Sequence, residues 1–214
     1  MLDAILAKID RVYGLDLGVE IADFLIGKEM CTRLGVEARN GSVIVKDGQG
    51  AVELGVYIGE EQLKCLESID LTAELSPVVL EHLLVGIEEV SHFAYLVFST
   101  SRRRPVTQLE LELQAEVDKY VTSILLLAAN NGGRVPSNLM DRLFSDFRPR
   151  EDLDSEQRER YWAASSLASR YCSYVVQASL ETQEFGRLLP ELRSFYRLNQ
   201  QGKIGHIHNI VYTA

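Results

Sequence analysis

Apolar residues recur at helical spacing over most of the chain. The first such run predicts a short amphipathic helix, and its apolar positions are Leu2, Ile5, Leu6, Ile9 and Val12. Residues 19–34 are predicted to be helical as well. Beyond Pro136 the pattern predicts a short helix, a long helix over about 155–181 and a further helix in "LLPELRSFYRL". The tail "GKIGHIHNIVYTA" has strand character.

The spacing changes to alternation in "SVIVKDGQGAVELGVYIG". Two runs rich in β-branched residues flank the turn-forming segment at 47–50, and Val52, Leu54 and Val56 alternate with their neighbours. This pattern predicts a β-hairpin with one covered face. Because two strands alone are marginal in water, the hairpin must pack on helices or join another strand.

Two long helices are predicted in the middle of the chain. Ser76 offers a capping hydroxyl and Pro77 suits the first helical position, so the first helix should run over 77–101. Thr107 is placed to cap the second, over 107–130. The opening of the second helix, "QLELEL", alternates like a strand, but its Leu, Gln and Glu residues are strong helix formers. A short turn joins the two helices, which predicts an antiparallel pair with arms of roughly 35 Å.

These elements predict a mostly α (α+β) fold, a helical domain built on the long antiparallel pair with a small β-hairpin insertion. A length of 214 residues suits one domain. Its predicted parts are N-terminal helices with the hairpin (1–75), the central pair (76–131), C-terminal helices (137–199) and a tail (200–214).

Composition is that of an ordinary globular protein, with 46% apolar and 25% charged residues. A formal net charge of −9 argues against nucleic acid as a partner, and the basic run at 102–104 is typical of a corner between helices. The sequence shows neither a secretory signal nor an apolar run of about 18 residues. Three widely spaced cysteines predict buried thiols rather than disulfides. We therefore expect a cytoplasmic protein that does not enter a membrane.

The candidate chemistry lies in "GIEEVSHFAYLVF", residues 86–98, within the most apolar part of the chain. Glu88 and His92 are four residues apart and share a helix face, and Glu89 is three residues before His92. A buried carboxylate without a partner costs several kcal/mol, about as much as a domain's net stability. Some other group must therefore pair with these three polar side chains.

The second long helix offers that group. If the arms pair with indices summing to about 208, His92 lies near Glu116 and Asp118, and Glu88 lies near residues 120–122. Glu112 and Glu116 are themselves four residues apart on one face. The central pair is thus predicted to gather five polar side chains: Glu88, Glu89, His92, Glu112 and Glu116. Such an excess of acid raises carboxyl pKa values or recruits a cation.

The order "EEVSH" resembles the HExxH motif of zinc metallopeptidases, with Glu88 in place of the first histidine. The resemblance implies His92 and Glu116 as ligands and Glu89 as the general base. Glu89-x-x-His92 is also similar to one half of the Glu-x-x-His pairs in carboxylate-bridged di-metal bundles. Both resemblances favour a divalent transition metal, zinc or else iron or manganese, and a metal-dependent hydrolase if the protein is an enzyme.

Three alternatives stay open from the sequence. The polar side chains of the central pair can form a purely structural network. Its positive charge would come from Arg158, Arg160 and Arg170 on the later helix, or from Arg193 and Arg197 near the end of the chain. The chain can be a non-catalytic module whose acidic surface or hairpin edge docks a protein partner. It can also bind an anion or nucleotide through a C-terminal set of basic residues: Arg193, Arg197, Lys203, His206 and His208.

Overall fold

The computed structural model of the chain describes residues 1–37, 40–48, 51–145, 153–182 and 185–213. Within them the protein is mainly helical, with one two-stranded antiparallel sheet. The predicted mostly α class with a small β-hairpin is therefore confirmed.

The secondary structure elements have the following bounds. The helices are α1 (Leu2–Tyr13), α2 (Lys28–Arg33), α3 (Glu60–Ser68), α4 (Pro77–Ser101), α5 (Gln108–Asn130), α6 (Ser155–Tyr171), α7 (Ala178–Thr182), α8 (Phe185–Arg197) and α9 (Gln200–Thr213). A 3₁₀ segment lies at Ile21–Phe24, and π-helical segments lie at Asp141–Ser145 and Cys172–Gln177. The strands are β1 (Gly41–Gly48) and β2 (Ala51–Ile58).

The central pair forms as the capping signals predict. The Ser76 hydroxyl accepts a hydrogen bond from the Val79 amide at 3.3 Å, and the Thr107 hydroxyl accepts one from the Glu110 amide at 3.2 Å. Each cap satisfies an amide that the first helical turn leaves unpaired. The opening of α5 is helical despite its alternating sequence.

The hairpin is also present, with Val43 opposite Val56 in its register. Both strands pack against α4, and the side chains of Val56 and Ile58 are buried there. Residues 49–50 of the predicted turn lie outside the described residues.

The predicted helix over 19–34 is wrong in its middle. The 3₁₀ segment ends at an extended Leu25, and the Ile26 amide donates to the Val56 carbonyl at 2.9 Å. This backbone covers the outer edge of β2, and pairing with a strand edge outweighs the helical periodicity there.

The predicted strand character of the tail is wrong. Residues 200–213 form α9, which begins where the Gly202 amide donates to the Asn199 side chain at 2.9 Å. Lys203 and Ile207, four residues apart, are both fully buried, so one helical face packs against the rest of the protein.

The core is continuous around α4, which contacts α1, α3, α5 and both strands. By length and composition α4 is apolar enough to cross a membrane, with a mean hydropathy of 1.2 over 18 residues. However, 67% of that 18-residue stretch is buried inside the protein. It thus has the burial of a core helix. All three cysteines are free thiols, as predicted; Cys31 and Cys172 are buried as expected, whereas Cys65 is half-buried.

Candidate metal centre

Five polar side chains from the two central helices converge between α4 and α5. We call them the acidic cluster: Glu88, Glu89, His92, Glu112 and Glu116. All are buried except Glu88, which is half-buried. The i, i+3 and i, i+4 spacings on each helix place these groups on the facing surfaces.

His92 is at the centre of the cluster. Its Nε2 lies 3.4 Å from Oε2 of Glu112, and its Nδ1 lies 3.9 Å from Oε2 of Glu89. The residue is only 8% exposed, yet Nε2 makes no hydrogen bond of good geometry, and neither does Oε2 of Glu89. Unpaired polar atoms at such depth are costly, and they call for an explanation.

Lys119 supplies a positive charge to the cluster, and the sequence interpretation missed it. Its Nζ lies 3.1 Å from Oε2 of Glu88 and 2.7 Å from Oε1 of Glu116. The ammonium is buried and bridges the two helices. The signal was available, because Lys119 follows Glu116 by three residues on the same helix face. From the sequence, arginines on a later helix were expected to supply the positive charge.

Two of those arginines contact groups other than the carboxylates of the acidic cluster. Arg158 donates to the Leu153 carbonyl at 2.9 Å, and the Arg160 guanidinium lies 6.0 Å from the centre of the Tyr161 ring. Arg170 is exposed. Lys119, within the central pair, therefore supplies positive charge of the kind that was expected from arginine.

Two further elements close the cluster. Tyr161 lies beside it on α6, where burial and the nearby carboxyl groups of Glu112 and Glu88 raise the pKa of its hydroxyl group. On the hairpin side, Gly41 packs so closely that a Cβ there would lie 2.6 Å from Cγ and Oε1 of Glu89. Glycine at the start of β1 thus lets the hairpin backbone lie directly against a buried acid.

Burial and crowding shift the pKa values of the cluster. Burial raises the pKa of Glu89, and His92 offsets only part of that effect. Burial likewise raises the pKa of Glu116, with Lys119 opposing it. Burial opposes protonation of His92, but the neighbouring Glu112 and Glu89 outweigh it and hold the pKa of His92 well above its ordinary value. The pocket therefore favours positive charge.

Three of the five side chains can hold one ion. Ligand atoms from Glu88, His92 and Glu112 all lie within 4.8 Å of one another. Ligands around a tetrahedral zinc ion are roughly 3.3 Å apart, given metal–ligand bonds of about 2.0–2.2 Å. One imidazole and two carboxylates suit zinc, iron or manganese. Glu116, predicted as a ligand, is engaged by Lys119 instead.

The predicted register between the two helices is wrong for Asp118. His92 faces Glu112, whereas Asp118 lies about 200° around α5 from Glu116, since each residue turns a helix by about 100°. Asp118 is therefore on the opposite side of α5 from the acidic cluster.

Asp118 belongs to a second buried cluster that the sequence interpretation missed. It accepts hydrogen bonds from Ser91 at 2.6 Å, from Gln114 at 2.8 Å and from the Tyr13 hydroxyl. Lys203 donates to Gln114. We call these five residues the Asp118 network. Burial raises the pKa of Asp118 to about 6, and burial lowers the pKa of Lys203 to about 7.

The predicted C-terminal anion site is dispersed. Arg193 donates to the Val12 carbonyl at 2.9 Å, and Arg197 donates to the carbonyls of Tyr13 at 3.1 Å and Gly14 at 3.2 Å. Both guanidinium groups therefore satisfy carbonyl groups at the end of α1.

The remaining members of that set also lie apart. Lys203 is fully buried and donates to the Phe195 carbonyl at 2.9 Å. His206 is paired with Glu191 at 2.6 Å, while His208 is exposed. On a helix, residues two apart point in nearly opposite directions, so the two imidazoles do not share a face as they would on a strand.

Comparisons with known protein families, with curated proteins and with solved structures found no match. The geometry of the acidic cluster is therefore the basis on which a function is inferred.

Proposed function

We propose that this protein binds one divalent transition metal ion between α4 and α5, through Glu88, His92 and Glu112. The ligand atoms of these residues already lie within 4.8 Å of one another. The 3.4 Å separation between His92 and Glu112 is close to that of ligands around one zinc ion, roughly 3.3 Å. The Glu88 carboxylate would complete the set by moving toward them.

The observation that carries the proposal is the Nε2 atom of His92, which has an acidic neighbour but no hydrogen bond. His92 Nε2 is buried, points at Glu112 and lacks a hydrogen bond of good geometry. A buried nitrogen in a structural network normally has a partner. A metal ion bound by this nitrogen would satisfy it.

Charge supports the same conclusion. Four carboxyl groups in the cluster meet one lysine and one histidine, so negative groups outnumber positive ones. A divalent cation compensates for this excess, which would otherwise raise carboxyl pKa values.

Glu89 is placed to orient the His92 ring. It lies on the Nδ1 side of the His92 ring, away from Nε2, at 3.9 Å. A carboxylate at the second nitrogen commonly orients a metal-binding histidine. Hydrolysis with Glu89 as the base stays a prediction from the sequence, and the proposal concerns metal binding alone.

Metal titration of the untagged protein tests the proposal. After chelator treatment and dialysis, zinc and manganese are added separately, and bound metal is measured by equilibrium dialysis with elemental analysis. We expect about one ion per chain for the preferred metal. His92→Ala should weaken binding by at least about tenfold, and Glu112→Gln should act in the same direction while keeping the side-chain volume.

His208→Ala is the matched control, since His208 is exposed on α9 and should leave the affinity unchanged. Circular dichroism of each variant without metal separates loss of a ligand from loss of the fold. Absence of stoichiometric metal in the wild-type protein, or equal losses in the His92 and His208 variants, contradicts the proposal.

A further inference from the structure

The position of Lys119 relative to the proposed metal ligands suggests how the site is regulated. Its ammonium contacts Oε2 of Glu88 at 3.1 Å, and Glu88 is also one of the three candidate ligands. Lysine and metal therefore share a carboxylate. The lysine side chain is 11% exposed, so water contributes little to its solvation.

We infer that Lys119 is an internal cation that holds Glu88 in the metal-free protein, and that a metal ion binds by taking Glu88 from it. This inference rests on the proposed metal site and adds its regulation. Lys119 would then set the metal affinity as a built-in competitor.

Electrostatics favours the competition. A metal ion about 2.1 Å from Oε2 of Glu88 would lie on the order of 5 Å or less from an ammonium that stayed 3.1 Å from the same oxygen. Two cations so close in a buried site repel each other strongly. The ammonium should therefore withdraw from Oε2 of Glu88 when the ion binds there.

The structure supplies a partner for the displaced lysine. Lys119 Nζ is closer to Oε1 of Glu116, at 2.7 Å, than to Glu88. Glu116 is three residues away on the same helix, so this pair can persist without any movement between α4 and α5. Glu116 would thus retain the ammonium after the exchange.

The unpaired imidazole separates this arrangement from a closed salt-bridge network. Lys119 neutralises Glu88 and Glu116, but it leaves Nε2 of His92 without a hydrogen bond. The lysine therefore occupies one side of the cluster, and the side formed by His92 and Glu112 is left for a second cation.

The test compares zinc and manganese affinities of the wild-type chain, Lys119→Met and Lys119→Gln, measured on the full-length protein by equilibrium dialysis. Removing the competing ammonium should tighten binding of the preferred metal by at least about tenfold, the scale of one charge-assisted contact. Lys64→Met is the matched control, because Lys64 forms an exposed lysine–glutamate pair with Glu60 on α3. Its affinity should equal that of the wild type.

The outcomes distinguish this inference from the proposed function. Metal binding by the wild type with unchanged or weaker binding by both Lys119 variants overturns the competition and leaves the metal site. Binding by the variants alone supports the competition but contradicts metal binding by the natural chain. Absence of binding in all of them overturns both. If Lys119→Met does not fold, Lys119→Gln decides, since its amide can still donate to Glu116.

Discussion

Helix α5 has buried polar side chains on two opposite sides, and the two sides differ in charge. On one side the Asp118 carboxylate accepts three hydrogen bonds, and Lys203 is the cation of the same network. Nearby, Glu110 is paired with Arg104. Acids and cations are therefore equal in number on this side. On the other side, the four carboxyl groups of the acidic cluster meet one lysine and one histidine.

The difference shows that an atom without a hydrogen bond indicates a cation site only where the surrounding charge is also unbalanced. Nε of Arg104 and the Tyr196 hydroxyl, beside the Asp118 network, also lack hydrogen bonds. They lie among groups whose charges are balanced, so no further ion is required there. In the acidic cluster an unpaired imidazole coincides with excess acid, and the two together favour a bound cation.

The largest expected effect on stability is on the side of α5 that carries the Asp118 network, where acids and cations are equal in number. Asp118→Ala removes the acceptor of three buried donors and leaves the Lys203 ammonium without its nearby carboxylate, so the free energy of unfolding should fall by about 3–5 kcal/mol. Urea denaturation measures it. Glu67→Ala, on the exposed face of α3, should change it by less than about 0.5 kcal/mol. A small loss for Asp118→Ala would mean that this network contributes little to the fold.

A smaller effect is expected where the hairpin covers the acidic cluster. Gly41→Ala places a Cβ 2.6 Å from Glu89, so the side chain or the strand must move, at a cost of about 1–3 kcal/mol. Gly205→Ala is the control, because a Cβ there has no neighbour within 4 Å and alanine within the helix α9 should not lower stability. Thermal and urea unfolding of the two variants give the comparison. Equal stability of both would show that Glu89 is not fixed by the hairpin.

The pH dependence of stability should reveal Lys203. Its pKa of about 7 in the folded protein is below its ordinary value of 10.5, so between these values the unfolded chain binds more protons. The free energy of unfolding should therefore rise with pH over this window. Lys203→Met should flatten the rise by about 1–2 kcal/mol, measured by urea unfolding at several pH values. Parallel profiles for the two proteins would contradict the assignment.

The smallest expected effect is a gain in stability, caused by removing the charge of Glu89. Burial raises the pKa of Glu89, so the folded protein disfavours the charged carboxylate. As pH rises above the ordinary carboxyl pKa, ionisation of Glu89 therefore lowers the free energy of unfolding. Glu89→Gln should therefore raise the free energy of unfolding of metal-free protein at pH 7 by up to about 1 kcal/mol. The gain should vanish at acidic pH, where the carboxyl group is neutral in both states. A loss at pH 7 would place Glu89 in a balanced network like that of Asp118.

The sequence predicted the long helices and the hairpin because their signals are local. The Ser76 and Thr107 caps act on amides two or three residues away, and the hairpin follows from alternation around a turn. The alternation at the start of α5 has a different origin. Glu110 and Gln114 face the network side while Glu112 and Glu116 face the acidic cluster, so a helix polar on two sides imitates a strand.

The errors arose where partners distant in sequence decide. The backbone at Leu25 and Ile26 is extended because it pairs with β2, and the tail is a helix because Lys203 and Ile207 find a buried surface. Helical spacing showed that Glu88, Glu89 and His92 share a region of α4. It could not show that Glu112 rather than Asp118 faces His92, since that depends on how α4 and α5 are rotated about their axes.

The amino-acid sequence by itself determined the two long central helices and placed an excess of acid in the apolar centre of the chain, because helix periodicity and capping are local. Only the tertiary structure decided which acids meet His92, that Lys119 lies among them, and that Gly41 closes the cluster. Those contacts depend on the packing of separate elements, and packing is fixed by the whole core rather than by any one segment.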